Sequence, residues 1–239
     1  MKRFGGIKVK YYGHSAFRFI SPKNKVIFID PWLSNPKSPG KDYDKVDLIL
    51  ITHGHGDHLG DAIEIANKTN ALCLSIYEIS VYLNSKGVKN VQGMNKGGTF
   101  NFDDIKITMT DATHSSGIEE GGRIISGGEA SGFIINFENN FKIYHMGDTG
   151  LFGGIDFISK LYKPDLVLIP IGSLFTMGPE EAAFAINILK PKYAIPMHFG
   201  TFPPLKGTPK EFLEKVKDYD VKTEIIILNP GEEIEWNLE

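Results

Sequence analysis

Hydrophobic residues in this chain fall into short runs, most of them four to six residues long and bounded by Gly, Pro, Asn or Asp. Runs of that kind predict strands, here over residues 7–12, 16–20 and 25–29. The run Val46-Asp47-Leu48-Ile49-Leu50-Ile51 is almost continuously apolar, as a strand covered on both faces should be. Further strands are expected over 71–76, 105–110 and 132–137, with helices over 61–68 and 79–86.

The second half repeats the style, with buried strands over 142–145 and 166–171 and later ones over 193–197 and 225–228. Gly178-Pro179-Glu180-Glu181 opens a helix to about residue 189: proline suits the first turn, and the two acids suit the positive end of the helix dipole. Thr208-Pro209-Lys210-Glu211 is a capping box that leads a helix to 217. Strands followed by helices, in two similar halves without a linker, predict a single domain over 1–239 built as a layered α/β sandwich. Residues 115–131, with five glycines, and 199–207, with Pro203-Pro204, lack periodicity and read as irregular loops, the usual material of lids.

Composition narrows the picture. The chain has 239 residues, enough to bury a core without staples. Its formal net charge of -3 and the lack of a basic segment argue against a nucleic-acid partner. The one cysteine, Cys73, lies in the apolar run Ala71-Leu72-Cys73-Leu74, which excludes an intrachain disulfide and a cysteine zinc cluster. No apolar stretch approaches the roughly 20 residues that span a bilayer. Met1 to Gly6 carries no apolar core of a signal peptide, so no membrane contact and a cytoplasmic location are expected.

The chemistry gathers behind the apolar run that ends at Ile51. His53, His55, Asp57 and His58 lie within six residues, and these are ligands for Zn, Fe or Mn. Alternate residues of an extended segment point the same way, so His53 and His55 can share one ion. Asp57 and His58 are neighbours at a turn entering a helix; their side chains diverge and suit a second ion. His114, Asp148 and His198 each sit just past the end of an expected strand, where sheet-based enzymes collect catalytic groups. Burying so many ionisable groups without a cation would be costly.

These segments resemble a known family. The metallo-β-lactamase superfamily carries HxHxDH, then a lone histidine, an aspartate and a final histidine, in the order found here. The segments YYGHSAF, IDPWL, ITHGHGDHLGD, THSSG, YHMGDTGLFG, PDLVLIPIG, FTMGPEEAA and IPMHFGTFP are similar, more specifically, to the UPF0173 metal-dependent hydrolases, relatives of L-ascorbate-6-phosphate lactonase. The resemblance implies a four-layer αββα sandwich with two divalent ions (Zn, Mn, Fe or Ni) at one edge. It implies His53, His55 and His114 on one ion, Asp57, His58 and His198 on the other, and Asp148 between them. His14, in YYGHSAF, is implied to face the site. Leu174 stands where relatives carry His or Asn, which removes a polar contact there, and His145 is read as a strand residue outside the ligand set.

The expected activity is hydrolysis of a small lactone or ester, phosphorylated or not, by a water that the metals activate. Asp57 would orient that water or shuttle a proton, and His14 would contact metal or substrate. Arg123 and Lys206, in the two irregular loops, are candidates for holding an anionic group. No GxSxG elbow and no phosphate-binding P-loop is present. The alternatives are a phosphodiesterase or nuclease of the same superfamily and a metal-dependent binding protein without turnover. Assembly into a homo-oligomer is compatible with such a sandwich.

Overall fold

A computed structural model describes residues 6–236. The first half runs β1 (Ile7–Tyr11), β2 (Phe17–Ile20), β3 (Val26–Ile29), β4 (Leu48–Leu50), α1 (Gly56–Leu59), α2 (Ala62–Thr69), β5 (Leu72–Ile76), α3 (Tyr77–Ser85) and β6 (Val91–Met94). There follow β7 (Thr99–Phe102), β8 (Ile105–Asp111), β9 (Gly117–Glu120), β10 (Arg123–Ser126), β11 (Ser131–Asn136) and β12 (Lys142–His145). The remainder is α4 (Gly154–Tyr162), β13 (Leu166–Pro170), α5 (Pro179–Leu189), β14 (Tyr193–Met197), α6 (Pro209–Val216), β15 (Glu224–Ile225) and β16 (Glu233–Trp236).

Two seven-stranded sheets result, in the orders β16-β1-β2-β3-β4-β5-β6 and β15-β14-β13-β12-β11-β8-β7. Each begins as an antiparallel meander and continues with parallel strands: β3-β4-β5-β6 in the first, β12-β13-β14-β15 in the second. Parallel neighbours need crossovers; α2, α3, α4, α5 and α6 supply five of them, and residues 30–47 join β3 to β4 without a helix. The period of two in a strand then sorts the core. Leu166 and Leu168 of β13 pack between the sheets with Phe17, Phe19 and Leu50, whereas Val167 and Ile169 pack under α4 and α5 against Ile155, Ala182 and Ile186. Helices, sheet, sheet and helices form the four layers of an αββα sandwich.

Several elements depart from the sequence reading. Residues 115–131 are not an irregular loop: they contain the hairpin β9–β10, a separate two-stranded sheet. Gly121 and Gly122 turn it with φ of +57° and +73°, values that a tight hairpin turn demands and that glycine adopts without strain. The strand expected over 225–228 shrinks to Glu224–Ile225, because β15 is an edge strand with a single neighbour, β14. The strands β6, β7 and β16 and the helix α4 have no counterpart among the expected elements. Asp57 and His58 lie within α1 itself, a single turn, rather than ahead of a helix. Among the described residues no helix is long and apolar enough to cross a membrane.

Candidate metal centre

The carboxyl ends of four strands from both sheets converge at one edge of the sandwich. The loop after β4 brings His53, His55, Asp57 and His58; the segments after β8, β12 and β14 bring His114, Asp148 and His198. His55 holds the N-terminal cap position of α1 in an extended conformation, and the turn of α1 swings His58 inward to full burial. Gly147 precedes Asp148 with φ +64°, and a Cβ there would come within 2.5 Å of the Ser131 carbonyl. Only a glycine lets the chain turn so tightly between the sheets.

All seven residues expected as ligands are brought together. Donor atoms of His53, His55 and His114 gather in one set, those of His14, Asp57, His58 and His198 in another, and Asp148 joins His53 and His58. Asp148 Oδ2 lies 2.8 Å from His198 Nε2, 3.3 Å from His58 Nε2 and 3.7 Å from His114 Nε2. His53 Nε2 is 3.0 Å from His55 Nδ1, which in turn is 3.3 Å from His114 Nε2. This spacing crowds imidazole rings into neighbouring donor sets, with Asp148 within reach of rings from both.

A cation fits these residues. Among the described residues, Asp148 Oδ1 and His198 Nδ1 are buried without a hydrogen-bond partner, and His58 Nε2 and His198 Nε2 face Asp148 Oδ2 at ion-pair distance without hydrogen-bond geometry. Buried polar atoms of this kind are expensive to leave unmatched. The field also favours a positive charge: burial opposes one on His58, yet Asp148 and Asp30 outweigh it and raise the His58 pKa well above its ordinary value. His53, by contrast, is pushed well below its ordinary pKa by burial and by neighbouring imidazoles, and His55 and His114 shift the same way. Neutral imidazoles offer lone pairs, which is what a metal needs.

Residues that the sequence did not single out orient the candidate ligands. Asp30, fully buried and at φ +45°, accepts from His58 Nδ1 at 2.7 Å and from the Thr52 N–H and hydroxyl at 2.8 and 2.7 Å. The bond from Nδ1 leaves His58 Nε2 facing the centre, the usual means of fixing a metal-binding histidine. IDPWL carries this aspartate, but its partner lies 28 residues away, so only the fold reveals the pairing. Thr149 Oγ1 accepts from the Thr113 N–H at 2.9 Å and so ties the Asp148 turn to the His114 segment.

His14 stands on the other side of Asp57. Its Nε2 meets Asp57 Oδ2 at 3.0 Å and its Nδ1 meets Thr201 Oγ1 at 3.0 Å. Burial lowers the His14 pKa to about 4, even against the pull of Asp57. Burial opposes charge on Asp57 too, but the His14 bond and the nearby His58 prevail, and the carboxyl is held well below the usual range. Trp32 and Phe202 stack at 5.6 Å and both meet the His14 ring edge-on.

A cleft of about 540 Å³ opens beside the centre, with His55, Asp57 and Ser115 on one side and Gly117, Glu119 and Ile124 of the hairpin on the other. Arg123 is exposed on β10 and does not line this cleft, whereas its neighbour Ile124 does. Lys206 lines a different depression, with Ser173, Glu180, Glu211 and Lys215. Leu174 is 69% exposed and lines neither.

A paired-sheet sandwich with a histidine- and aspartate-rich metal centre at the strand ends defines a metal-dependent hydrolase of the metallo-β-lactamase superfamily. Residues 25–199 match the beta-lactamase superfamily domain. The chain belongs to the UPF0173 metal-dependent hydrolases within that superfamily: it is 46% identical to a member from Methanopyrus kandleri over 96% of this chain and 100% of the relative, and 47% identical to one from Methanosarcina barkeri over 96% and 99%. A solved metallo hydrolase from the hyperthermophilic archaeon Ignicoccus hospitalis superposes with a TM-score of 0.87 at 40% identity, covering 98% of this chain and 99% of that one. At 18% identity and a TM-score of 0.73, an isothiocyanate hydrolase from Delia radicum gut bacteria shares the fold.

Proposed function

We propose that the protein hydrolyses a small lactone or ester at a centre of two divalent cations, one held by His53, His55 and His114, the other by Asp57, His58 and His198, with Asp148 shared. The observation that carries this reading is the placement of Asp148 Oδ2 within 3.7 Å of three imidazole nitrogens delivered by three different loops. When bound, the cations act as Lewis acids on the scissile group and lower the pKa of water toward about 7.

The protein residues then have distinct tasks. Asp57, kept ionised, accepts a hydrogen bond and so orients the attacking water. His14 is neutral at working pH and donates Nε2–H to Asp57, while its Nδ1 accepts from the Thr201 hydroxyl; it aims the carboxylate and carries no charge of its own. Asp30 holds His58 in the matching tautomer. Trp32 and Phe202 pack edge-on against the His14 ring and hold its orientation toward Asp57.

The cleft limits the substrate. Glu119 is its charged rim residue beyond the centre, and neither Lys nor Arg lines it. A phosphate carried at the far end of a substrate would meet a carboxylate there, so an uncharged lactone or ester fits better than a phosphorylated one. Turnover should be measured on protein loaded with Zn²⁺ or Mn²⁺ against matched lactones, esters, thioesters and phosphodiesters. Hydrolysis of the carbonyl substrates is the expected result. Turnover confined to phosphodiesters would replace this reading with the phosphoryl-transfer alternative.

A further inference from the structure

The chain has seven histidines, and six of them belong to the three donor sets of the centre. The seventh, His145, ends β12 and is fully buried. Both of its ring nitrogens are engaged. Nε2 donates to the Ser15 carbonyl at 3.0 Å, across 130 residues of sequence, and Nδ1 accepts from the Gly147 N–H at 3.1 Å. Those two bonds define one neutral tautomer, with the proton on Nε2. Phe17 meets the ring edge-on at 5.9 Å and fills the remaining side.

The two partners of His145 flank two residues of the centre. Ser15 follows His14, which sits in the left-handed region at φ +56°, and Gly147 precedes Asp148 at φ +64°. The His14 carbonyl is itself fixed, accepting from the His198 N–H at 2.7 Å and from the Tyr11 hydroxyl at 3.0 Å. His145 thus links the His14 loop of the first sheet to the Asp148 turn of the second through a single ring.

We propose that His145 is a positioning residue that sets the distance between His14 and Asp148, and so the alignment of Asp57 with the centre. The role rests on the two-ion reading above. It goes beyond a structural core histidine because each ring nitrogen serves a different half of the site, so the two halves can be uncoupled separately.

The test uses His145→Asn, whose amide oxygen can replace Nδ1 and keep the Gly147 bond, and His145→Gln, whose longer amide can replace Nε2 and keep the Ser15 bond. Zn²⁺ affinity and stoichiometry are measured by chelator competition, alongside kcat/KM against pH on the best ester. The asparagine variant should bind Zn²⁺ like the parent but lose about 10–100-fold in kcat/KM, and the glutamine variant should lose about 10–100-fold in Zn²⁺ affinity, the range known for residues that orient metal ligands. Equal Zn²⁺ affinity and equal kcat/KM in both variants and the parent would overturn the assignment, as would identical losses in both. A parent that binds no Zn²⁺ would instead sink the two-ion reading. Should either variant fail to fold, the ¹⁵N shifts of His145 in the parent decide: the Nε2–H tautomer is expected, and an Nδ1–H ring is incompatible with the proposal.

Discussion

The two donor sets are built differently. His53, His55 and His114 form a set of histidines whose pKa values are all lowered, chiefly by burial; His53 is fully buried at its back, while His55 and His114 are half-buried and His55 lines the cleft, which makes this the shallower set. His58, His198 and Asp148 lie deep, with side chains at most 3% exposed, and Asp57 and Asp30 add further charge beside them. Apart from the shared Asp148, the first set offers a cation lone pairs alone, whereas the second adds charge of its own. The shallow set should therefore govern how an ion and a substrate meet, and the deep set should govern whether the centre and its surrounding fold hold together.

The largest effect should come from the residue common to both. Asp148→Asn keeps the shape but removes the charge that three imidazoles face, and should cost about a thousandfold in kcat/KM, roughly 4 kcal/mol, with metal content falling in elemental analysis. An Asp148→Asn protein that keeps full metal and turnover would erase the distinction between the sets.

Acid should separate neutral from charged histidines next. The folded His14 pKa of about 4 lies below its unfolded value, so from pH 6.5 down to 4 the unfolded chain binds a proton that the folded chain refuses. Chelator-treated protein should lose roughly 3 kcal/mol over that window from His14, with His53 pulling the same way. His58 acts oppositely: its raised pKa contributes stability in acid that fades as pH rises through that value. Denaturant melts between pH 4 and 8 should show the net acid loss, and His14→Gln should flatten it.

Two smaller effects test the sets one at a time. His55→Ala should lower kcat/KM about a hundredfold, near 2.7 kcal/mol, with little change in the stability of chelator-treated protein, because His55 is half-exposed and its ring partners are other candidate ligands and the exposed Ser115 hydroxyl. Asp30→Asn should do the reverse. It weakens bonds from three buried donors and should cost about 1–3 kcal/mol in a denaturant melt, with metal affinity reduced by about tenfold. Equal stability losses in the two variants would show that depth does not divide their roles.

The contrast also explains what could be read from the sequence. Two of the three histidines of the shallow set and half of the deep one are contiguous in His53 to His58, and the alternating glycines expose the spacing. The apolar runs of β4 and β13 are legible because both of their faces are covered. Asp30, Thr201 and His145 act on partners that are 28, 187 and 130 residues distant, and no local pattern encodes such pairings. The hairpin was missed for another reason: Ile118 is buried while Arg123 to Ser126 are all exposed, so the alternation that marks a strand is present on one arm only.

That hairpin bonds laterally to neither large sheet. It is held at its base, where Ser116 Oγ accepts from the Gly54 N–H and donates to the Gly127 carbonyl, and where Ile118 fills the space that a Cβ on Gly54 would take, and near its turn, where Glu120 pairs with Lys86 and accepts from the Tyr82 hydroxyl. None of the ligands lies on it, yet Glu119 and Ile124 form one wall of the cleft. Under the proposed function, one wall of the substrate cleft is thereby carried by a segment outside both large sheets, and the reacting groups by the sheets themselves. A lineage could exchange residues 119–125 and acquire a new diet while keeping the same catalytic engine.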